Sequence, residues 1–198
     1  MPEATATATV AAALPMSEAQ ARGLPARWQG LPAVVSAQTV VLILGSFPGA
    51  ASLRAGQYYA HPRNHFWPIL QALWPQHPLP NAYPARCDWL LARGLGLWDV
   101  HASCEREGSL DSRIRNPQAN DFARLHGCCP QLLAVAHNGS ASFKYADAVR
   151  ACLARTLSDA TVQMAAIRLP STSPANASWS FERKLTAWAA LMSACHLL

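Results

Sequence analysis

Residues 42–67 read LILGSFPGAASLRAGQYYAHPRNHFW, and this stretch decides the fold. Its apolar start runs into a Gly-Ser-Phe-Pro-Gly turn at 45–49, as a buried strand does where it enters a loop. Glycine lets the backbone approach a ligand closely and proline fixes the turn, so backbone amides are held at the edge of a sheet. The run His-Pro-Arg-Asn at 61–64 then precedes an apolar helical pattern. The stretch therefore predicts a strand, a polar loop and a helix.

The rest of the chain repeats this alternation. Apolar runs predict four buried strands, over residues 39–46, 95–100, 132–139 and 162–170. Helical patterns lie between and after them, over residues 65–74, 84–93, about 119–126, 140–156 and about 179–197. Near-continuous apolar strands separated by amphipathic helices indicate a parallel sheet that is covered on both faces. We predict an α/β fold, a three-layer αβα sandwich with a central four-stranded parallel sheet.

The predicted sheet also locates a binding site. In open sheets of this class, ligands bind in a crevice beyond the carboxyl ends of the strands. The loops that start at Gly45, Asp99, His137 and Pro170 follow the four predicted strands. We therefore expect these four loops to face one cleft.

Length and composition set the domain organisation. The chain has 198 residues, which allows one domain with a substantial core. We assign residues 1–25 to a flexible N-terminal tail, because small side chains dominate its beginning, and residues 26–198 to the domain. The beginning lacks the basic residues of a secretory signal, and no apolar run is long enough to cross a bilayer. We expect a cytoplasmic protein with no membrane partner, and a monomer.

Charge and cysteine content bear on partners and cofactors. Sixteen Lys and Arg residues outnumber eleven Asp and Glu residues, which gives a formal net charge of +5. Arginine supplies most of the excess, and its planar fork suits phosphate, so the balance permits nucleic acid as a partner. The six cysteines form no C-x-x-C pair and have no zinc-site spacing with histidine. We therefore expect no metal and no cofactor.

Aromatic and amide side chains come off the loop that should line the cleft. Tyr59 offers an aromatic face, and Asn64 and Arg63 offer donors and acceptors, which together are what a flipped base needs. Each residue also has a simpler interpretation. Asn64 is equally suited to cap the helix that starts near Phe66, and Tyr59 to fill the edge of a core.

Two further clusters follow later strands. Small polar groups in RLPSTSPANASW (168–179) stand before the last helix, where hydroxyls and amides bind phosphate oxygens readily, although a polar turn is the alternative. Asn138 ends the third predicted strand, and helix capping and ligand contact are both open for this part of the chain. A third set of residues reaches either the cleft, the DNA backbone or only the surface: His101, Arg106, Arg113 and Arg115.

These motifs together resemble the uracil-DNA glycosylase superfamily. Its mismatch-specific members have G-I-N-P-G and H-P-A-N-R-F-W, which are similar to GSFPG (45–49) and HPRNHFW (61–67), and their L-P-N-P-S-G is similar to LPSTSP (169–174). The pattern LGSFPG, QYYAHPRNHFW, REGSLDSRI, HNG and LPSTSPANA resembles most the hypoxanthine-DNA, or DNA-deoxyinosine, glycosylase branch, over roughly residues 30 to 195.

The resemblance includes two departures. Phe47 stands where the mismatch-specific enzymes have the asparagine that positions water, and Ser171 stands where several uracil enzymes have a histidine or asparagine that steadies the leaving base. Asn64 is then the best remaining amide, and the resemblance to the hypoxanthine branch implies a catalytic role for it.

The resemblance implies a monofunctional DNA glycosylase that hydrolyses the N-glycosidic bond of a flipped deaminated base, with hypoxanthine first. A uracil or thymine mismatch glycosylase and a non-catalytic DNA-binding module of the same fold remain as alternatives. We predict catalytic roles for Asn64 and Ser46. We predict base contacts from Gly45, Phe47, Pro48, Gly49, Tyr59, Asp99 and Asn138, and DNA contacts from His61, Arg63, Ser171, Thr172, Ser173 and Asn176.

Overall fold

A four-stranded parallel sheet forms the centre of the protein. The structure, a computed structural model, describes residues 27–125, 127–154 and 165–198. Four strands form the sheet in the order β3-β2-β6-β7: β2 (Val41–Gly45), β3 (Leu95–Asp99), β6 (Ala134–Asn138) and β7 (Ala165–Leu169). All three neighbouring pairs are parallel. The predicted α/β class and four-stranded parallel sheet are confirmed.

Both faces of the sheet are buried because side chains alternate along each strand. In β2, Val41 and Ile43 pack into one core, and Leu42 and Leu44 pack into a second core on the opposite face. The first core includes residues of helices α2 (Phe66–Leu73), α3 (Tyr83–Leu91) and α6 (Phe181–Ala194). The second includes residues of α5 (Ala146–Ala154). The three-layer αβα arrangement follows from these two cores.

A second sheet was not predicted. Strands β1 (Arg27–Gln29), β4 (His101–Glu105) and β5 (Arg115–Ala119) form an antiparallel sheet in the order β1-β4-β5. The residues of β1 and β5 are all exposed, and β5 contains Pro117, so neither strand has the apolar pattern of a buried strand. Strand β4 follows β3 after Val100 and therefore places this sheet beside the carboxyl end of the main sheet.

Several predicted boundaries were wrong. The helix predicted at about 119–126 is the end of β5 followed by a short 3-10 helix, Phe122–Leu125. The helix predicted over 140–156 is interrupted after α4 (Ser140–Phe143) and resumes as α5. A short helix, α1 (Ala50–Ala55), follows the Gly-Ser-Phe-Pro-Gly turn at 45–49 and was not predicted.

Two sequence-based predictions fall wholly or partly on residues that the structure does not describe. The predicted tail, residues 1–25, and the part of the fourth predicted strand before Ala165 fall outside the described residues. Within the described ranges, none of the helices combines the length and apolar character that crossing a membrane requires.

Candidate active site at the carboxyl edge of the sheet

One cleft collects polar residues that end or follow all four parallel strands. Its volume is about 310 Å³, the lower end of the size range of small-molecule pockets. Of the predicted site residues, twelve line it: Gly45, Ser46, Phe47, Gly49, Tyr59, His61, Asn64, Asp99, Asn138, Ser171, Thr172 and Ser173. The loops after β2, β3, β6 and β7 therefore meet as the sheet topology predicts.

Tyr59 forms an aromatic wall of the cleft. Its ring stacks on Phe66 of α2, with centroids 4.0 Å apart and an angle of 24° between the planes. The backbone φ angle of Tyr59 is +56°, a conformation that is rare outside glycine and that tertiary contacts must hold in place. Phe66 thus occupies one side of the Tyr59 ring, and Tyr59 itself lines the cleft.

Asn64 bonds the first residue of α2, as the capping interpretation predicts, but it does so from the position before the N-cap residue His65. Its side-chain Oδ1 accepts a hydrogen bond of 2.9 Å from the backbone N–H of Phe66, the first residue of α2. An amide oxygen has two lone pairs, so this cap leaves one for another donor such as water. Asn64 also lines the cleft. Capping and a role in the cleft are therefore compatible, and the catalytic role stays a prediction.

Asn138 joins the end of β6 to the loop after β7. Its Nδ2 donates to Thr172 Oγ1, and its Oδ1 accepts from the backbone N–H of Thr172, both at 2.9 Å. The backbone carbonyl of Thr172 in turn accepts from His65 N–H at 3.0 Å. Thr172 is fully buried. Its hydrogen bonds therefore join the loop after β7 to the end of β6 and to the start of α2.

The loop after β7 is held in shape by its own side chains. Ser171 Oγ accepts from Ser173 N–H at 3.2 Å, and the Ser171 carbonyl accepts from Asn176 Nδ2 at 3.0 Å. From α6, the buried Lys184 donates through Nζ to the Asn176 carbonyl at 3.1 Å. Asn176 thus supports the loop and does not line the cleft itself.

Asp99 brings a buried carboxyl group to the cleft. Its exposed fraction is 4 %, and within the described part of the chain its Oδ2 has no hydrogen-bond partner. Burial, together with the nearby charge of Asp111, raises the pKa of Asp99 to about 8, which outweighs the opposing effects of the Tyr58 hydroxyl and of Arg106. The raised pKa favours the neutral acid, which can donate one hydrogen bond into the cleft.

The cleft has a second wall that sequence reasoning missed. Ser109, Leu110 and Asp111, from the loop between β4 and β5, line it together with residues of the Gly-Ser-Phe-Pro-Gly turn at 45–49. Ser46 Oγ donates to Asp111 Oδ1 at 2.6 Å, and Ser109 Oγ accepts from Ala50 N–H at 3.0 Å. All three lie in the motif REGSLDSRI (106–114), which carries part of the family resemblance but by itself predicts no place in the cleft for them.

Three predicted site residues lie away from the cleft wall. Arg63 is exposed, Asn176 supports the loop after β7, and the carbonyl of Pro48 accepts a hydrogen bond of 2.6 Å from Arg106 Nη2. Phe47 lines the cleft, and the Arg106 guanidinium lies 5.0 Å from the centre of its ring. His61 lines the cleft and accepts through Nδ1 from Arg63 N–H at 3.2 Å.

Residues 32–192 match the family model of the Uracil DNA glycosylase superfamily. The chain belongs to this superfamily. Two curated relatives carry the name "Hypoxanthine DNA glycosylase": one from Methanosarcina barkeri is 39% identical over 123 residues, and one from Methanosarcina acetivorans is 37% identical over 122 residues. Each alignment covers 62% of this chain, and they cover 78% and 77% of the two relatives.

A solved structure agrees with the superfamily assignment. The solution NMR structure of a Methanosarcina acetivorans protein, provisionally described as a Uracil DNA glycosylase, superposes with a TM-score of 0.71 at 32% sequence identity. The match covers 86% of this chain and 99% of that one. The prediction of a DNA glycosylase of the uracil-DNA glycosylase superfamily is confirmed.

Within the described ranges, no three His, Cys, Asp or Glu side chains are grouped so that they could hold a metal ion. In the cleft, the carboxyl groups of Asp99 and Asp111 stand among hydroxyl, amide and aromatic groups.

Proposed function

We propose that this superfamily member removes hypoxanthine from DNA by hydrolysing its N-glycosidic bond. The observation that carries the proposal is the buried Asp99 carboxyl group on the wall of a cleft that also offers Tyr59 and Asn64. The two relatives named hypoxanthine DNA glycosylase support the same base. In the reaction, water forms a bond to the sugar C1′ as the bond to the base N9 breaks, and the base leaves with a proton.

Asp99 is the residue that we assign to the base. A neutral carboxyl group donates one hydrogen bond and accepts another, so it complements the mixed donor and acceptor edge of hypoxanthine. Negative charge grows on the base as the bond breaks, and a donor that is already in place stabilises this charge. Asp99 Oδ2 has no hydrogen-bond partner among the described residues, and we assign this contact to it.

Asn64 is the residue that we assign to the water. The contact with Phe66 N–H fixes the direction of its amide, and the second lone pair of Oδ1 orients a water molecule. An amide does not deprotonate water. Orientation suffices where the glycosidic bond is largely broken before the water attacks.

Asp111 and Ser46 stand where the sugar would pass. Because the sugar gains positive charge in the transition state, a carboxyl group on the wall stabilises it electrostatically. The 2.6 Å bond from Ser46 Oγ holds Asp111 in position, so Ser46 acts as a positioning residue. Backbone amides of the turn at 45–49 and the hydroxyls of Ser171 and Ser173 are assigned to the departing base and to phosphates.

Leu110 is the apolar residue at the mouth of the cleft. Its exposed fraction is 51 %, which is unusual for leucine, and it lies on the wall that Asp111 anchors to Ser46. A base that rotates out of the duplex leaves a gap in the stack, and DNA-binding proteins insert apolar side chains between base steps. We assign Leu110 to that gap.

A panel of damaged bases tests the proposal. Duplexes that carry hypoxanthine, xanthine, uracil or a thymine mismatch are incubated with the protein, and abasic sites are revealed by alkaline strand cleavage. We expect cleavage of the hypoxanthine duplex in the presence of EDTA and only after alkali. Preferred cleavage of uracil would favour the uracil alternative, and binding without cleavage of any duplex would favour a non-catalytic module.

A further inference from the structure

A second groove lies on the other side of the loop that walls the cleft. Its volume is about 850 Å³, and it is lined by Trp28, Glu105, Arg106, Glu107, Gly108, Arg113 and Arg115. We infer that this groove binds an unpaired nucleotide of the DNA strand that flanks the flipped base. The inference rests on the proposed function for the presence of DNA in the cleft, and it concerns the structure of the preferred substrate.

Trp28 provides the stacking surface. Its exposed fraction is 45 %, although tryptophan is usually well covered. The indole is not free to turn, because its Nε1 donates to the carbonyl of Arg106 at 3.1 Å and its backbone belongs to strand β1. A fixed and exposed aromatic ring binds bases without sequence preference, since every base has a π-face.

Arg106 places positive charge beneath the groove. It is 7 % exposed, and its Nη2 donates to the Pro48 carbonyl in the turn that forms the cleft. Its Nε and Nη1 are buried, and among the described residues neither has a hydrogen-bond partner. The positive charge of Arg106 therefore lacks a compensating contact at these two atoms, and it would attract an anionic ligand in this groove electrostatically.

The exposed charged side chains of the groove are two arginines and one glutamate, so their net charge is positive. Arg113 and Arg115 are exposed, and Arg115 Nη1 is oriented by bonds of 3.0 Å to the carbonyls of Ser112 and Ile114. Of the two acids, Glu105 already accepts from Asn116 Nδ2 at 2.9 Å and lies 3.8 Å from Arg27. Glu107 is exposed and is the opposing charge. Arginines beside a stacking ring suit the phosphate and base of a single nucleotide.

The groove and the cleft share the loop 108–111. Gly108 lines the groove, whereas Ser109, Leu110 and Asp111 line the cleft. A strand that leaves the cleft over this loop therefore reaches Trp28. Bases that remain paired and stacked in a duplex keep their faces covered, so only an unpaired base can stack on Trp28. The groove thus favours single-stranded DNA, or DNA with an unpaired flank, over a continuous duplex.

Binding measurements on two substrates test the groove. Fluorescence anisotropy gives the affinity of the full chain for a single-stranded oligonucleotide with one hypoxanthine and for the same sequence as a continuous duplex. We expect Trp28→Ala to weaken single-strand binding about tenfold, the scale of losing one stacked base, and to change duplex binding less than twofold. Trp28→Phe keeps a ring but loses the bond to Arg106, and it should bind single strands nearly as the unchanged protein does.

Controls separate the groove from the proposed function. Leu133→Ala alters an exposed residue before the amino end of β6 and should leave both affinities unchanged. Unchanged single-strand binding by Trp28→Ala, or an equal loss on both substrates, would contradict the proposal that the groove binds an unpaired nucleotide. If the protein releases hypoxanthine and Trp28→Ala binds single strands normally, the groove is wrong and the function stands. If Trp28→Ala selectively loses single-strand binding but no base is ever released, the groove stands and the function is wrong.

Discussion

The Asp99 carboxyl group lies directly over the Cα of Gly45, and a Cβ atom at position 45 would collide with Asp99 Oδ1. The two residues are register partners on neighbouring strands, each the last residue of its strand. Glycine is therefore required at position 45, because any side chain would displace the carboxyl group. The hydroxyl of Tyr59 lies 3.7 Å from the same Cβ position. The end of β3 thus places an acid at the cleft, and the loop between α1 and α2 places a phenol beside it.

The buried acid predicts a pH dependence of catalysis. Protonated Asp99 is the donor to the base, and its pKa is raised to about 8, so the single-turnover rate should fall as the pH rises through about 8. Asp99→Asn keeps a donor that does not titrate. Its rate should be independent of pH in this range, whatever its absolute value. Rates measured from pH 6 to pH 9.5 test this, and an identical fall in Asp99→Asn would assign the titration to another group.

The same pKa predicts a pH dependence of stability. The folded pKa of about 8 lies above the ordinary value of 3.8, so the folded protein binds the proton more tightly than the unfolded chain. The stabilising contribution is complete below about pH 4 and is lost as the pH rises to about 8, at a slope of at most about 1.4 kcal/mol per pH unit. Urea unfolding at pH 5.5 and 8.5 should show the free energy of unfolding of Asp99→Asn falling less than that of the unchanged protein. An equal fall in both would contradict the assignment.

Asn64 predicts a separation of rate from stability. Asn64→Ala should lower the single-turnover rate by about two orders of magnitude or more, as loss of a positioned catalytic group does. The lost cap on Phe66 N–H should cost about 1 kcal/mol of unfolding free energy. Asn64→Asp keeps an oxygen for the cap but places a carboxylate beside the departing base and the DNA, so it should fold well and cleave poorly. An Asn64→Ala protein that is less stable but normally active would reduce Asn64 to a cap.

We predict that removing the Leu110 side chain slows cleavage of DNA in which the target base is stacked in a duplex. Leu110→Ala should slow cleavage of duplex hypoxanthine about tenfold, since unstacking a base step costs a few kcal/mol. Fluorescence of a 2-aminopurine beside the target reports opening of the stack, and it should rise less than with the unchanged protein. Leu133→Ala is the matched control, because Leu133 is equally exposed at 58 % but precedes the amino end of β6. Equal behaviour of both variants would remove Leu110 from the mechanism.

The parallel sheet could be predicted because its strands are buried on both faces. Val41 to Leu44 are fully buried, and such runs have no polar residue to interrupt the pattern. Strands β1 and β5 gave no such pattern, because their side chains face solvent and their pairing depends on partners distant in sequence, such as Trp28 with Cys104. Burial of the strands thus explains why the parallel sheet was predicted and the antiparallel sheet was not.

The residues of the site divide in the same way: those that end parallel strands could be predicted, and those held by the antiparallel sheet could not. Gly45, Asp99 and Asn138 end parallel strands, so topology alone brings them together. Asp111 could not be placed in this way, since it reaches Ser46 across 65 positions through the antiparallel sheet that the sequence pattern did not reveal. The pair of hydrogen bonds between Asn138 and Thr172 could not be predicted either, because each residue alone is an ordinary polar residue at a turn.

The most direct test of the proposed function is the detection of the free base. A duplex with one hypoxanthine is incubated with excess protein in EDTA, and the released material is identified by mass spectrometry. We predict free hypoxanthine and abasic sites in equal amounts, with an intact DNA backbone until alkali is added. Release of no base, or release of deoxyinosine with a broken strand, would contradict the proposed function.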